Sequence, residues 1–170
     1  EAIFNALQSS KRLLFLYVFE YSLIDDPHYD IRHWNFIKES ILDLNEKLSK
    51  YNTKILAVNT EVVNAFNQLQ NSYKINTVFS HQETGLLVTY NRDKDFARYC
   101  RNNNIKWKEN SNNGVLRGLL NRLDWLDAWE DYMNKPLIQS SLNESKLINT
   151  EEIKFLERGF IVNNLDFPLK

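Results

Sequence analysis

An α/β domain built on a parallel sheet is the fold class this sequence predicts, on three observations. Short apolar runs alternate with helical patterns along most of the chain. The first run, Leu13–Phe19, is apolar at every position, as a strand covered on both faces must be. The segments between runs are long enough for the crossovers that parallel pairing requires.

Taken in order, Ile3–Ser10 has a short helical pattern, with Ile3, Phe4 and Leu7 on one side. Arg12–Phe19 is the first strand. Glu20–Asp30 reads as a loop, with Asp25-Asp26-Pro27 as its turn signal. Ile31–Tyr51 is the clearest helix. Trp34, Ile37, Ile41, Leu44, Leu48 and Tyr51 recur at three- and four-residue spacing and form one stripe, opposite Lys38, Glu39, Asp43, Glu46, Lys47 and Lys50. Lys54–Val58 is a second strand. Thr60 can cap the helix after it, whose inner face carries Val62, Val63, Phe66 and Leu69. Asn76–Ser80 is a third strand and Ile105–Trp107 a fourth. Between them Arg92–Asn102 is helical, with Phe96, Ala97 and Cys100 inward. Arg122–Met133 is an aromatic-rich helix. Leu137–Thr150 is polar and reads as a linker, and Glu151–Arg158 as a short helix.

Composition narrows the function. The 170 residues suit one domain, or one domain with a tail. Twenty-one basic residues against 22 acidic ones give a formal charge of −1. A domain that holds nucleic acid through its phosphates is usually strongly basic, and this one is not. Only four glycines occur, and no Gly-rich phosphate loop is among the motifs. One cysteine, Cys100, excludes an internal disulfide and a multi-thiolate zinc site. A reducing, cytoplasmic setting is the default expectation. The longest apolar run is too short to span a bilayer, and residues 1–5 lack the basic start of a signal peptide. No membrane partner is expected.

The side chains that could carry chemistry are few. His28, His33 and His81 lack metal-site spacing, so no metal is expected. There is no G-x-S-x-G elbow, and Cys100 falls on an inner helix face; no catalytic residue is assigned. Trp125, Trp129 and Tyr132 have the spacing of helix side chains packed on the core, or against a missing neighbour, rather than of a base-stacking or electron-transfer set. In open parallel sheets ligands bind outside the carboxyl ends of the strands, at the point where strand order reverses. That places a pocket at the loops after Phe19, Val58 and Ser80. Ser80-His81-Gln82-Glu83-Thr84-Gly85 gathers polar side chains there, either as ligand contacts or as a helix start. Arg32, at the head of the long helix, either faces the same cleft or pairs with Asp30.

Several segments, read in order, carry a resemblance. They are Phe19-Glu20-Tyr21-Ser22-Leu23, then His28-Tyr29-Asp30-Ile31-Arg32-His33-Trp34-Asn35-Phe36, then Ser40-Ile41-Leu42-Asp43-Leu44-Asn45. Phe79-Ser80-His81-Gln82-Glu83-Thr84-Gly85 and Tyr90-Asn91-Arg92-Asp93 follow, then Ile105-Lys106-Trp107-Lys108-Glu109 and Asn113-Gly114-Val115-Leu116-Arg117-Gly118. Their order and spacing resemble the amino-terminal antenna domain of the photolyase/cryptochrome family. Arg122–Pro136 is similar to the family's exit toward its flavin domain.

The resemblance implies a Rossmann-like or flavodoxin-like three-layer domain over 1–136. It implies a linker over 137–170, toward a helical FAD-binding domain. The family's first strand, which lies mid-sheet, has no counterpart in this sequence; residues 1–4 look like the helix just after it. The implied function is light harvesting: holding an accessory chromophore that passes excitation to FAD. The parent would repair pyrimidine dimers or signal blue light, and this segment alone would not be catalytic. Its implied partners are its own helical FAD domain, damaged DNA through the full-length protein, and a second copy through the exposed sheet. Relatives carry a folate, a deazaflavin, FMN or FAD as antenna. Val88-Thr89 stand where folate-type members have an Asn-Glu pair, so a flavin or deazaflavin is preferred over folate. The resemblance assigns cofactor binding to Phe19, Glu20, Arg32, His81, Gln82 and Glu83. The alternative is a pigment-free nucleotide-binding or scaffold domain of the same architecture.

Overall fold

A computed structural model of the chain describes residues 1–160 apart from 112 and 120. The elements run α1 (Ala2–Ser9), β1 (Phe15–Phe19), α2 (Tyr21–Ile24), α3 (Ile31–Ser49), β2 (Ile55–Asn59) and α4 (Val62–Gln70). They continue with β3 (Thr77–His81), α5 (Leu87–Asn102), β4 (Lys106–Asn110), α6 (Trp125–Met133) and α7 (Thr150–Glu157). The fold is α/β and Rossmann-like. No described helix is long and apolar enough to cross a membrane.

β1 pairs parallel with β2, Phe15 opposite Ile55 through Phe19 opposite Asn59. β3 pairs parallel with β4, Thr77 opposite Lys106 through His81 opposite Asn110. The strands therefore form two parallel pairs rather than one sheet. The hydrogen bonds fix which way each strand edge points. Phe19 O accepts from Thr60 N at 3.2 Å, so the odd residues of β1 bond toward β2. Asn76 O accepts from Lys106 N at 2.9 Å and Gln82 N donates to Asn110 O at 2.8 Å, so the even residues of β3 bond toward β4. The backbone groups of Leu14, Leu16 and Val18, and of Thr77, Phe79 and His81, point the other way. All six residues line one groove of about 1610 Å³ between the two pairs.

The core has three parts. Phe19, Leu23, Trp34, Ile41 and Ala57 pack between the β1–β2 pair and α3. Leu56, Val58, Ala65 and Leu69 pack on the other face with Ile148, Ile153 and Leu156. Phe66, Phe96, Cys100 and Ile105 join α4 and α5 to the β3–β4 pair. The helical stripe read from Trp34, Ile41 and Leu48 is buried as its spacing requires. Its start is a capping box: Asp30 Oδ1 accepts from Arg32 N at 3.1 Å, and His33 Nδ1 accepts from Asp30 N at 2.9 Å.

Three expectations about elements are corrected. α5 begins at Leu87 rather than Arg92. Leu87-Val88 carry no helical period of their own, and this first turn is held by Tyr90 N donating to Leu86 O and Thr89 Oγ1 to the same carbonyl. The loop after Phe19 contains a helical turn, α2. Residues 137–143 are largely exposed, but 144–157 are folded onto the sheet. Leu13 bridges Leu147 in parallel, Thr53 Oγ1 donates to Ile148 O at 2.7 Å, and Ile153 is fully buried. The polar sequence there concealed Leu147, Ile148, Ile153 and Leu156, which are spaced to meet the sheet.

α7 is also held by charge. Arg12 Nη2 and Tyr73 Oη both donate to Glu152 Oε2, at 2.5 and 3.0 Å. The Arg12 hydrogen bond holds the Glu152 carboxyl below its ordinary range. A carboxyl depressed in the folded state stabilises above its unfolded value and loses that contribution as pH falls through the folded one. Hydrogen exchange should therefore show α7 amides losing protection as pH drops below about 4.5, the ordinary value, ahead of α3 amides. Simultaneous loss in both helices would show that Glu152 has no local role.

Candidate functional site

β1 is followed through α2 and α3 by β2 on one side, whereas β3 and β4 lie on the other side of the groove. The direction of the connections thus reverses between β1 and β3, and the crevice outside their carboxyl ends is the site position such folds use. Glu20, Ser80, His81, Arg92 and Asp93 line the groove at this end.

The centre of the site is an ion cluster. Glu20 is only 3% exposed. Its Oε1 accepts from Val62 N, the first residue of α4, at 3.1 Å, and its Oε2 from Arg92 Nη1 at 3.1 Å. Arg92 also donates from Nη2 and Nε to Asp93 Oδ1, at 2.8 and 3.0 Å. Burial pushes the Glu20 carboxyl up, and Arg92 partly offsets this. Burial works against the Arg92 charge too, yet its two carboxylate partners hold the guanidinium above its ordinary value.

Around this cluster lie further charges and rings. The hydroxyl of Tyr29 is raised mainly by burial, and also by the field of Glu83. Its ring packs on Trp34 at 5.0 Å. Tyr17, pushed to about 12 by burial, is stacked edge-on to Phe19 at 4.8 Å. On the rim Arg117 pairs with Glu109 at 2.9 Å. The crevice thus offers aromatic and aliphatic walls with a guanidinium and carboxylates at the rim. Flat polar heterocycles fit such an arrangement, with apolar faces covered and edge atoms hydrogen-bonded.

The residues expected to hold a cofactor fall into two groups. Phe19 is fully buried against Trp34, and Glu20 is committed to Val62 and Arg92; both shape the site from beneath. His81 ends β3 and is exposed, Gln82 extends the pairing to β4, and Glu83 Oε1 accepts from Thr84 N and Gly85 N at 2.9 and 2.6 Å. Arg32 is 81% exposed and lies 3.7 Å from Asp30. Sequence reasoning quoted Arg92-Asp93 but did not place them in the site. The signal was present: two adjacent opposite charges in the second turn of a helix whose other face is apolar, with an acidic residue after β1. Tyr29 was missed for lack of any local signal.

Other candidates carry no chemistry. Among the described residues no three His, Cys, Asp or Glu side chains gather as a metal site. Burial pushes the Cys100 thiol up to about 11, so it is an inert core group. Of the two packing readings of Trp125 and Trp129, the core one is corrected: α6 buries none of its residues, and the two rings stack at 6.4 Å with a third or more of each side chain exposed.

A profile described as DNA photolyase matches residues 1–117. Among solved structures the chain is similar to an archaeal photolyase from Sulfolobus tokodaii with two FAD molecules, at a TM-score of 0.66 and 16% identity. The match covers 93% of this chain and 37% of that one, so the chain spans little more than a third of that photolyase. No curated protein sequence matches.

Proposed function

The chain belongs to the DNA photolyase family, and on that premise we propose that its crevice holds an accessory chromophore for light harvesting. The observation that carries this reading is the buried Glu20–Arg92–Asp93 cluster at the point of strand reversal. The chromophore is a flavin or deazaflavin: a flat ring takes the apolar wall, and Arg32, His81, Gln82 and Glu83 surround its polar edge. The archaeal photolyase of similar fold is described with two FAD molecules, which supports a flavin.

In the parent protein the chromophore passes excitation to FAD in a helical domain that covers α6. The exposed Trp125, Leu126, Trp129 and Met133 support that docking. Damaged DNA is met by the parent, not by this segment.

The test is the near-ultraviolet and blue absorption of the purified chain, before and after addition of FMN, FAD and a deazaflavin. Bound pigment should be released on denaturation, and Arg32→Ala should weaken its retention severalfold while the distant Glu39→Ala leaves it unchanged. A folded chain that takes up none of these pigments overturns the reading.

A further inference from the structure

The segment after β4 ties several parts of the domain together, and its chemistry does not depend on what fills the crevice. Ser111 Oγ donates to Asn113 O at 2.7 Å, and Asn113 Nδ2 to Thr84 Oγ1, beyond β3, at 3.3 Å. Arg117 Nη2 donates back to Glu109 Oε2 of β4 at 2.9 Å. α6 rests on the same segment. Tyr132 Oη donates to Ser111 O at 3.2 Å, and Trp129 lies so close to the buried Gly114 that a Cβ there would overlap Cδ1 of the indole. α6 buries none of its own residues, so these contacts weigh heavily in holding it.

Asn113-Gly114 is also the one Asn-Gly pair in the sequence. Asn113 Oδ1 accepts from Val115 N at 3.2 Å, across Gly114. That turn folds the side-chain carboxamide back toward the Gly114 nitrogen, and the bond polarises its carbonyl. Glycine has no Cβ to hinder the approach. Gly114 N donates to no acceptor among the described residues, and the pair belongs to no helix or strand.

We propose that Asn113 is a self-modification site, at which the folded chain converts its own asparagine to isoaspartate and so releases α6. The Gly114 nitrogen gives its proton to hydroxide and attacks Asn113 Cγ. The N–Cγ bond forms, the Cγ–Nδ2 bond breaks, and the side-chain nitrogen takes a proton from water and leaves as ammonia. Water then opens the cyclic imide. Opening at the former main-chain carbonyl leaves the chain running through Cβ and Cγ, one carbon longer. That carbonyl, which accepts from Ser111 Oγ, becomes a carboxylate. The longer chain has no room beneath Trp129, because Gly114 already touches the indole. The proposal stands whether or not a chromophore binds.

The experiment holds the folded chain at mildly alkaline pH and physiological temperature, and follows peptide masses, isoaspartate content and amide hydrogen exchange. Exchange of an amide NH2 for a hydroxyl should appear at Asn113 about tenfold or more ahead of Asn71 and Asn110, each of which precedes a serine. An isoaspartate-specific carboxyl methyltransferase should label the same peptide. The rate should rise with pH and fall no more than about tenfold below that of the chain in urea, because the turn aligns the reacting atoms. In the modified fraction α6 amides should exchange about tenfold or more faster, with α3 unchanged. Asn113→Gln, which would have to close a larger ring, should gain no label and keep α6 protected throughout. A folded chain in which another asparagine reacts first, or in which folding suppresses the reaction at Asn113 beyond that margin, overturns the proposal. So does a modified chain whose α6 amides keep their protection.

Discussion

Arg92→Met is expected to destabilise the domain by about 3 kcal/mol, because it leaves the Glu20 carboxylate buried without its counter-charge. Glu20 is the least exposed acidic residue described, and Arg92 is itself three-quarters covered, so solvent screens the pair weakly. Val62 N would remain as the only donor to Glu20 described here. The double variant Glu20→Gln with Arg92→Met should recover most of the loss, since a neutral amide can still accept from Val62 N. The pH dependence separates charge from packing. Burial already raises the Glu20 carboxyl, and loss of Arg92 raises it further. A carboxyl raised in the folded state stabilises below its unfolded value and loses that contribution as pH climbs through the folded one. The deficit of Arg92→Met should therefore be largest near neutrality and shrink toward acid pH. Urea unfolding across that range measures it. A loss that is equal at all pH values would assign the effect to the lost arginine stem.

Ile153→Ala should cost about 3 kcal/mol, the usual size for a fully buried isoleucine reduced to a methyl. Ile153 is 0% exposed and packs with Leu56, Val58 and Leu156. It lies beyond residue 117, where the family match ends. Leu137→Ala, at a side chain 94% exposed, should change stability by less than about 0.5 kcal/mol. Both are read by thermal or urea unfolding. A small effect of Ile153→Ala would show that 144–157 rests on the domain without completing its core.

Much of this architecture was legible in the sequence. β1 and β2 were found because strands covered on both faces are apolar throughout. α3 was found because Trp34, Ile41 and Leu48 keep one phase for about four turns. β4 was read short: Lys106-Trp107-Lys108-Glu109-Asn110 is an edge strand, so its polar alternation hid its last residues. α7 was legible as a helix but not as part of the core, because its three attachments to the sheet depend on tertiary partners far along the chain. The site was legible in position, since strand ends are set by topology. Its inner structure was not. The pairing of Glu20 with Arg92 spans 72 residues and leaves no local periodicity.

The closure of the domain by its later residues has a consequence for biosynthesis. Arg12 meets Glu152 across 140 residues, Lys146 reaches Leu7 O across 139, and Leu13 takes its bridge partner from Leu147. The amino end of β1 is therefore finished by polypeptide that a ribosome makes long after β1 itself. While residues 13–59 emerge, β1 and β2 can pair, but the face of Leu56 and Val58 waits for Ile148, Ile153 and Leu156. Loops that long close slowly, since their entropy is lost before their contacts form. A nascent chain stopped before residue 146 should hold a half-covered sheet, the kind of surface on which chaperones act, and native protection should appear in one late step.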